Sequence, residues 1–250
     1  MNLYLHLTIK IINTMFGFAL DTDNEPEIIT LISDVKNIEG PSPIIYKKIR
    51  LISVNDISSL KSAIKNSSKT YENNGFIYLI DQQKNILSGT FISNIKIIKS
   101  RKNNIILSGF VWCHPKGYQK AWNMKFNDEI KEKNSWKNFE KNELQGWLVY
   151  TLRSGKFDSA QENINIQIDG NEFHNIDSFF CKLGEEINGT AGYFGRNFGA
   201  LSDCLQGGFG VKSITELTWN NHQKSKKLFK TKFKTILNIF EEFNVKVSLK

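Results

Sequence analysis

The stretch AGYFGRNFGALSDCLQGGFG, residues 191–210, sets glycines and aromatic rings around a single carboxylate, Asp203, and holds no histidine. A carboxylate with no second titratable partner nearby is poorly equipped for acid–base catalysis, but it can present negative charge to something else. At about 100° per residue, Phe198, Leu201 and Leu205 fall together on one side of a short helix near 197–205. Arg196, Gly199, Asp203 and Gln206 fall roughly opposite. The spacing therefore predicts three core-facing apolar side chains and an outward Asp203, with Gly207 and Gly208 where a C-terminal cap belongs. Gly189, Gly192 and Gly195 permit tight turns ahead of the helix and leave Tyr193 accessible. A phosphate-cradling loop fits poorly: GTAGYFGRN lacks the G-x-x-x-x-G-K-[ST] spacing, and a helix precedes it where the dinucleotide fingerprint needs a strand. Two readings stay open, a rigid surface for another protein and a plain turn.

The elements that must position this loop alternate between two periods. INIQIDG (164–170) reads as a strand ending in a D-G turn, and NIDSFFCKLGEEING offers Asn175 or Asp177 as a helix cap. Phe179, Phe180, Leu183 and Ile187 form the apolar face of that helix. SITELTW (213–219) is a second strand, FKTILNIFEEF a helix with Ile236, Leu237 and Phe240 inward, and VKVSL (245–249) a third strand. Strands alternating with helices predict an α/β layer with parallel pairing.

YFGRN followed by ALSDCLQG resembles the barstar family, intracellular inhibitors of secreted ribonucleases. The resemblance runs over residues 163–250 and takes in IDG, the capped helix, LTW on the middle strand and the late helix with its terminal strand. It implies a three-stranded parallel sheet packed with helices, and a loop and short helix that plug a nuclease active site, the helix carboxylate filling a phosphate subsite. By position, Tyr193, Gly195, Asn197, Asp203 and Gly207 match the inhibitory loop and helix. Glu242 matches a point on the late helix, with Glu241 beside it as the alternative, and Cys204 matches a buried cysteine. Arg196 stands where an acid is common, Gly199 lacks a carboxylate that some members use, and Ser202 replaces a large aromatic. The resemblance implies a bacterial, cytoplasmic immunity protein that binds a ribonuclease, whether a secreted enzyme or a toxin domain. It is not expected to be an enzyme, to use a cofactor or to contact a membrane.

Residues 1–155 read as a separate α+β domain of unassigned role, joined by the polar stretch RSGKFDSAQEN (153–163) to a barstar-like domain over 160–250 that is expected to fold by itself. DISSLKSAIKN is a helix behind an acidic cap. GFIYLID, ILSGTFIS, IKIIK and IILSGFVWC follow as strands of an antiparallel meander. QKAWNMKFNDEIKEK reads as helix and GWLVYTLR as a possible strand. The aromatic and isoleucine residues of these strands read as core rather than as a base-stacking platform. Residues 3–11 alternate as a strand with no signal-peptide pattern, while Met15 opens another strand naturally, which leaves Met1 and Met15 as alternative starts. Three scattered cysteines without a C-x-x-C pair predict neither disulfides nor a structural metal site. Residues 163–250 carry 11 Lys/Arg against 9 Asp/Glu and the remainder 22 against 16, so most of the formal charge of +8 lies outside the barstar-like region. That charge permits weak nonspecific RNA contact, and the alternative function is an RNA-associated regulator that uses basic surfaces without a nuclease target. KSKKLFKTKFK (224–234), with six lysines, reads as a solvated helix face over an apolar inner edge.

Overall fold

The computed structural model describes residues 15–67, 73–157 and 160–250, so the alternation at 3–11, the choice of start and positions 158–159 of the polar stretch lie outside it. The chain divides into two compact units: one runs up to Ile38 and over Ser42–Cys113, the other takes Glu39–Pro41 with His114–Lys250.

The first unit is a barrel. Its strands are β1 (Met15–Leu20), β2 (Thr30–Lys36) and β3 (Ile44–Val54), then β4 (Gly75–Ile80), β5 (Ile86–Arg101) and β6 (Asn104–Trp112), with α1 (Ile57–Ser67) between β3 and β4. Neighbours are all antiparallel, as expected, and the order β1-β2-β3-β6-β5-β4 closes on itself through β1–β4 and β3–β6. Two three-stranded meanders thus cover each other's edges. The acidic cap of α1 is Asp56, which accepts from the Ser59 amide at 2.9 Å and the Ser59 hydroxyl at 2.7 Å. ILSGTFIS and IKIIK prove to be one strand, β5, with register shifts between Ser93 and Lys96 and between Ile97 and Lys99. Phe18, Ile32, Ile49, Leu51, Ile92 and Leu107 fill the interior. The aromatics divide differently from the expectation. Tyr46, Phe110 and Trp112 are 53%, 43% and 39% exposed, because the period of two turns positions 44, 46, 48 and 50 of β3 and 110 and 112 of β6 outward.

In the second unit, α2 (Tyr118–Phe126), a 3-10 turn (Ser135–Asn138) and α3 (Leu144–Ser154) precede the alternating part. That part comprises β7 (Ile164–Asp169), α4 (Ile176–Asn188), α5 (Phe198–Leu205), β8 (Ile214–Asn220), α6 (His222–Phe229), α7 (Thr231–Glu242) and β9 (Lys246–Leu249). The sheet is parallel, three-stranded and ordered β7-β8-β9, the architecture that the resemblance implied. Asn175 is the α4 cap: its side chain accepts from the Ser178 amide at 2.7 Å, and the Ser178 hydroxyl accepts in return from the Asn175 amide. Trp219 of β8 lies flat on Phe179 of α4 at 5.3 Å, edged by Phe173 and Phe233, and its indole donates to the Ser225 hydroxyl at 3.1 Å. In α7 the buried line is Phe233, Ile236, Ile239 and Phe240, with Leu237 only half-buried. The six lysines of 224–234 are all exposed above buried Phe229 and Phe233, the solvated face expected.

GWLVYTLR is a helix, not a strand. Leu144, Trp147, Leu148 and Thr151 recur at spacings of three and four and are fully buried, which a two-residue period could not achieve. Gly146 lets α3 lie against the backbone of Lys116–Tyr118, where any Cβ would collide. By packing, then, the division falls at Cys113/His114, and the stretch around 155–160 lies inside the second unit. α3 packs on α4, and the Trp136 indole reaches the α4 carboxylate Glu185 at 2.9 Å. Residues 160–250 retain the three-stranded sheet and the four helices α4–α7, yet without 114–157 they expose the side of α4 on which Trp136 and α3 pack. We expect a 114–250 fragment to unfold cooperatively and a 160–250 fragment to melt more than about 10 °C lower by circular dichroism. Equal melting temperatures would show that α2 and α3 add nothing to that fold.

Candidate partner-binding site

The glycine loop leaves α4 at Gly189 and enters α5 at Phe198. Its path is fixed by contacts that approach from three directions. Gly192 and Gly184 bring the loop and α4 into direct backbone contact, with no room for a Cβ on either. Gly195, at φ 93°, makes the turn that points the chain into α5. The Asn188 side chain donates to the Tyr193 carbonyl at 2.7 Å and the Phe209 carbonyl at 3.0 Å, tying the limb before α5 to the limb after it.

Beneath the loop sits Glu185, with no exposed surface. One of its oxygens accepts from the Asn134 amide at 2.7 Å and the Trp136 indole at 2.9 Å. Burial pushes this carboxyl above its usual range, against the opposing pull of those two donors, the Ala191 amide and the Lys182 charge. Lys182, itself buried, pairs at 2.7 Å with both Glu172 and Glu186, and Lys133 reaches Glu186 at 3.0 Å.

The helix α5 carries Asp203 exposed and outward, as its spacing predicts. Its buried line is Leu201 and Cys204; Phe198 and Leu205 are only half-buried, so the inward face lies further round the helix than expected. Phe198 keeps a ring contact with Phe180 at 6.4 Å. Asn197 is exposed, but its side chain is engaged within the chain, capping α5 by accepting from the Ala200 amide at 2.8 Å. Gly207, at φ 105°, turns the chain out of α5. Glu241 and Glu242 are both exposed at the end of α7, the helix packed beside α5. Cys204 is core, and burial pushes its thiol up to about 12.

Tyr193 departs from the expectation of an accessible ring: it is 3% exposed. Phe209 lies on it at 5.8 Å and Phe157 on Phe209 at 5.5 Å. Leu152 of α3 shares with Tyr193, Arg196 and Asp203 the wall of a shallow cavity of about 410 Å³. Burial pushes the phenol up to about 12, so it stays a neutral donor and acceptor. The departing residues also find places. Arg196 is held by Gln145, which donates to the Arg196 carbonyl at 3.1 Å and to Asp177 at 2.8 Å and accepts from the guanidinium at 3.4 Å. The Ser202 hydroxyl turns back to the Phe198 carbonyl at 3.2 Å.

Gln145, Phe157, Asn188 and Glu185 were not singled out in the sequence. Only Glu185 carries a local signal, an acid four residues after Cys181 on a line that Ser178 also joins; those three positions are buried together. Among the described residues, no group of His, Cys, Asp and Glu could hold a metal ion, and no helix is long and apolar enough to cross a membrane.

Residues 164–248 match the family model Barstar, described as barnase inhibitor. No curated protein matches the chain. The match begins with β7 and ends within β9, so it covers the parallel sheet, the glycine loop and α5, and it leaves the barrel, α2 and α3 outside. This part of the chain carries a barnase-inhibitor-like fold.

Two substitutions test the scaffold. Asn188→Ala leaves two loop carbonyls without their donor and should cost about 1–3 kcal/mol in urea unfolding of the 114–250 unit; an unchanged midpoint would mean the loop does not need the tie. Glu185 has a raised folded-state pKa, so the stability linked to it is fullest below the usual carboxylate pKa and falls as pH rises through the raised value. The melting temperature of wild type should therefore fall relative to that of Glu185→Gln as pH rises from about 4.5 towards neutrality. A wild type that gains on Glu185→Gln with rising pH would show that the site favours the charged carboxylate.

Proposed function

We propose that the second unit binds a ribonuclease and blocks its active site, acting as a barstar-like immunity protein in the bacterial cytoplasm and performing no catalysis itself. The observation that carries this reading is an exposed carboxylate, Asp203, on a short helix whose approach is fixed at both ends. Asn197 caps its start, Gly195 and Gly207 turn the chain into and out of it, and Asn188 binds the two flanking limbs together. Asp203 would meet the Lys and Arg side chains with which a nuclease holds phosphate. Glu242, with Glu241 next to it, would add a second acidic contact from the neighbouring α7. Tyr193 acts from underneath, as the support on which Phe209 rests, and not as a ring inserted into the partner.

Arg196 adds a positive charge at the rim of the same cavity, next to Asp203. A target cleft that accepts this face therefore needs a local acid or neutral acceptor beside its phosphate-binding cations. This requirement narrows the choice of target nuclease.

A charge-assisted pair of this kind is worth roughly 1.5–3 kcal/mol. Asp203→Ala should weaken nuclease binding at least about tenfold, chiefly through faster dissociation, with thermal stability nearly unchanged. Leu201→Ala should instead destabilise the fold by about 2–5 kcal/mol, and Phe198→Ala by less, since Phe198 is only half-buried. The assay is inhibition of a panel of bacterial ribonucleases by wild type and variants. If Asp203→Ala inhibits as well as wild type, Asp203 has no phosphate-mimicking role; if no nuclease is inhibited by wild type, the reading fails altogether.

A further inference from the structure

The barrel carries a surface that the barstar-like part does not account for. On β3, β6 and β5 the outward side chains stand in cross-strand rows. Ile44 lies opposite Trp112, and the Trp112 ring meets Phe91 at 4.8 Å, which in turn meets Phe76 at 5.0 Å. One row on, Tyr46 faces Phe110, ring to ring at 5.2 Å, with Ser93 across from Phe110. The following row sets Lys48 and Lys96 on either side of Ser108, which is buried and accepts from the Tyr46 hydroxyl at 3.3 Å, and the next is Arg50, Ile106 and Lys99. Successive rows are separated by about 6.8 Å, two residues of strand rise.

Aromatic rows therefore give way to cationic rows on one continuous face. Tyr46 and Phe110 meet edge to face, and both stay exposed. The three strands carry Lys47, Lys48, Arg50, Lys96, Lys99 and Arg101 and not one Asp or Glu. Lys48, Arg50, Lys96, Lys99 and Arg101 are all exposed. A solvated sheet face with no function to serve would mix both signs of charge and bury its rings. This one is apolar in its first rows and carries only positive charge in the next.

We infer that the outer face of β3, β5 and β6 binds single-stranded nucleic acid, bases stacking on Tyr46, Phe110 and Trp112 while Lys48, Arg50, Lys96 and Lys99 take the phosphates. Unpaired bases offer π-faces to such rings and a duplex does not, and the charge of the face is complementary to a polyanion. Ring stacking and phosphate contacts carry no base-edge readout, so binding through them is tolerant of sequence. It is independent of nuclease inhibition, which belongs to the other unit.

The test uses the full chain with labelled oligouridylate and oligothymidylate of about 12 nucleotides, and a duplex of equal length, by fluorescence anisotropy at about 50 mM salt. Tryptophan emission is read in parallel, since Trp112 is exposed while Trp122, Trp136, Trp147 and Trp219 are buried. Both single strands should bind more tightly than the duplex and quench emission, with the Trp112→Phe variant losing the quench. Tyr46→Ala with Phe110→Ala should weaken binding about tenfold or more at unchanged salt dependence. Lys48→Gln with Lys96→Gln should lower the slope of log affinity against log salt by about two. Equal affinity for RNA and DNA assigns the binding to stacking and phosphates alone, while a preference for RNA adds a contact to the 2′-hydroxyl; either supports the inference. Lys48→Gln with Lys96→Gln should melt as wild type does, while Tyr46→Ala with Phe110→Ala, which gives up a cross-strand ring pair and the Tyr46–Ser108 hydrogen bond, should melt lower yet remain folded at about 25 °C. Absence of binding at low salt overturns the inference. So does equal binding of duplex and single strand unaffected by loss of the rings, or concentration-dependent self-association that the ring variants abolish, which would make a second copy the occupant.

Discussion

Glu185 takes hydrogen bonds from the Asn134 amide and the Trp136 indole while standing under the loop residue Ala191, all without exposed surface. A buried carboxylate is costly unless fixed donors replace the water it has lost. Here the donors come from a segment some fifty residues earlier in the chain, so α4 attains its final environment only when that segment is docked. The glycine loop rests on α4 and inherits its position from it. Rigidity at the exposed face is thus derived from polar contacts well below the surface, and Asp203 can be presented without any ion pair of its own to hold it.

Segment 114–157 is the part of the second unit that the family match does not reach, and it changes what the matched part shows to solvent. Leu152, Gln145 and Phe157 lie along one side of the loop and remove Tyr193 from the surface. They also fix Arg196, whose positive charge would otherwise move freely near Asp203. The accessible acidic face is narrower than the loop and helix alone would give, and it is more rigid.

The parallel sheet, the capped α4, the short α5 and the outward Asp203 were legible because each rests on a local rule: alternation, an Asn-x-x-Ser cap, and rotation about a helix axis. Failures came where a distant element decided the matter. GWLVYTLR contains residues that suit a strand, and packing of its Trp147, Leu148 and Thr151 line in a helix that contacts α2 and α4 made it helical. Tyr193 sits among glycines, which argues for exposure, yet the ring of Phe209, itself packed against Phe157, lies on it. The barrel's outward aromatics were hidden by a different ambiguity. Alternation shows that two faces exist, but which of them is the interior depends on closure through the β1–β4 and β3–β6 pairings, and no local pattern encodes those.

The two sheets treat their borders in opposite ways. In the barrel each strand has two neighbours, although β3 meets β2 only over Arg50–Val54 and β5 meets β4 only over Ile86–Ile92, so one flank of Ile44–Ile49 and of Ser93–Arg101 lies outside those ladders. The β7-β8-β9 sheet is open, and its outermost members keep free amides and carbonyls along one side. At β9 the exposure is short, four residues beginning at Lys246, and β7 brings Asn165 and Gln167 to a run only six residues long. Brief and polar borders of this kind make poor templates for strand exchange between molecules. The second unit can therefore offer a stiff acidic face at high concentration without growing end to end.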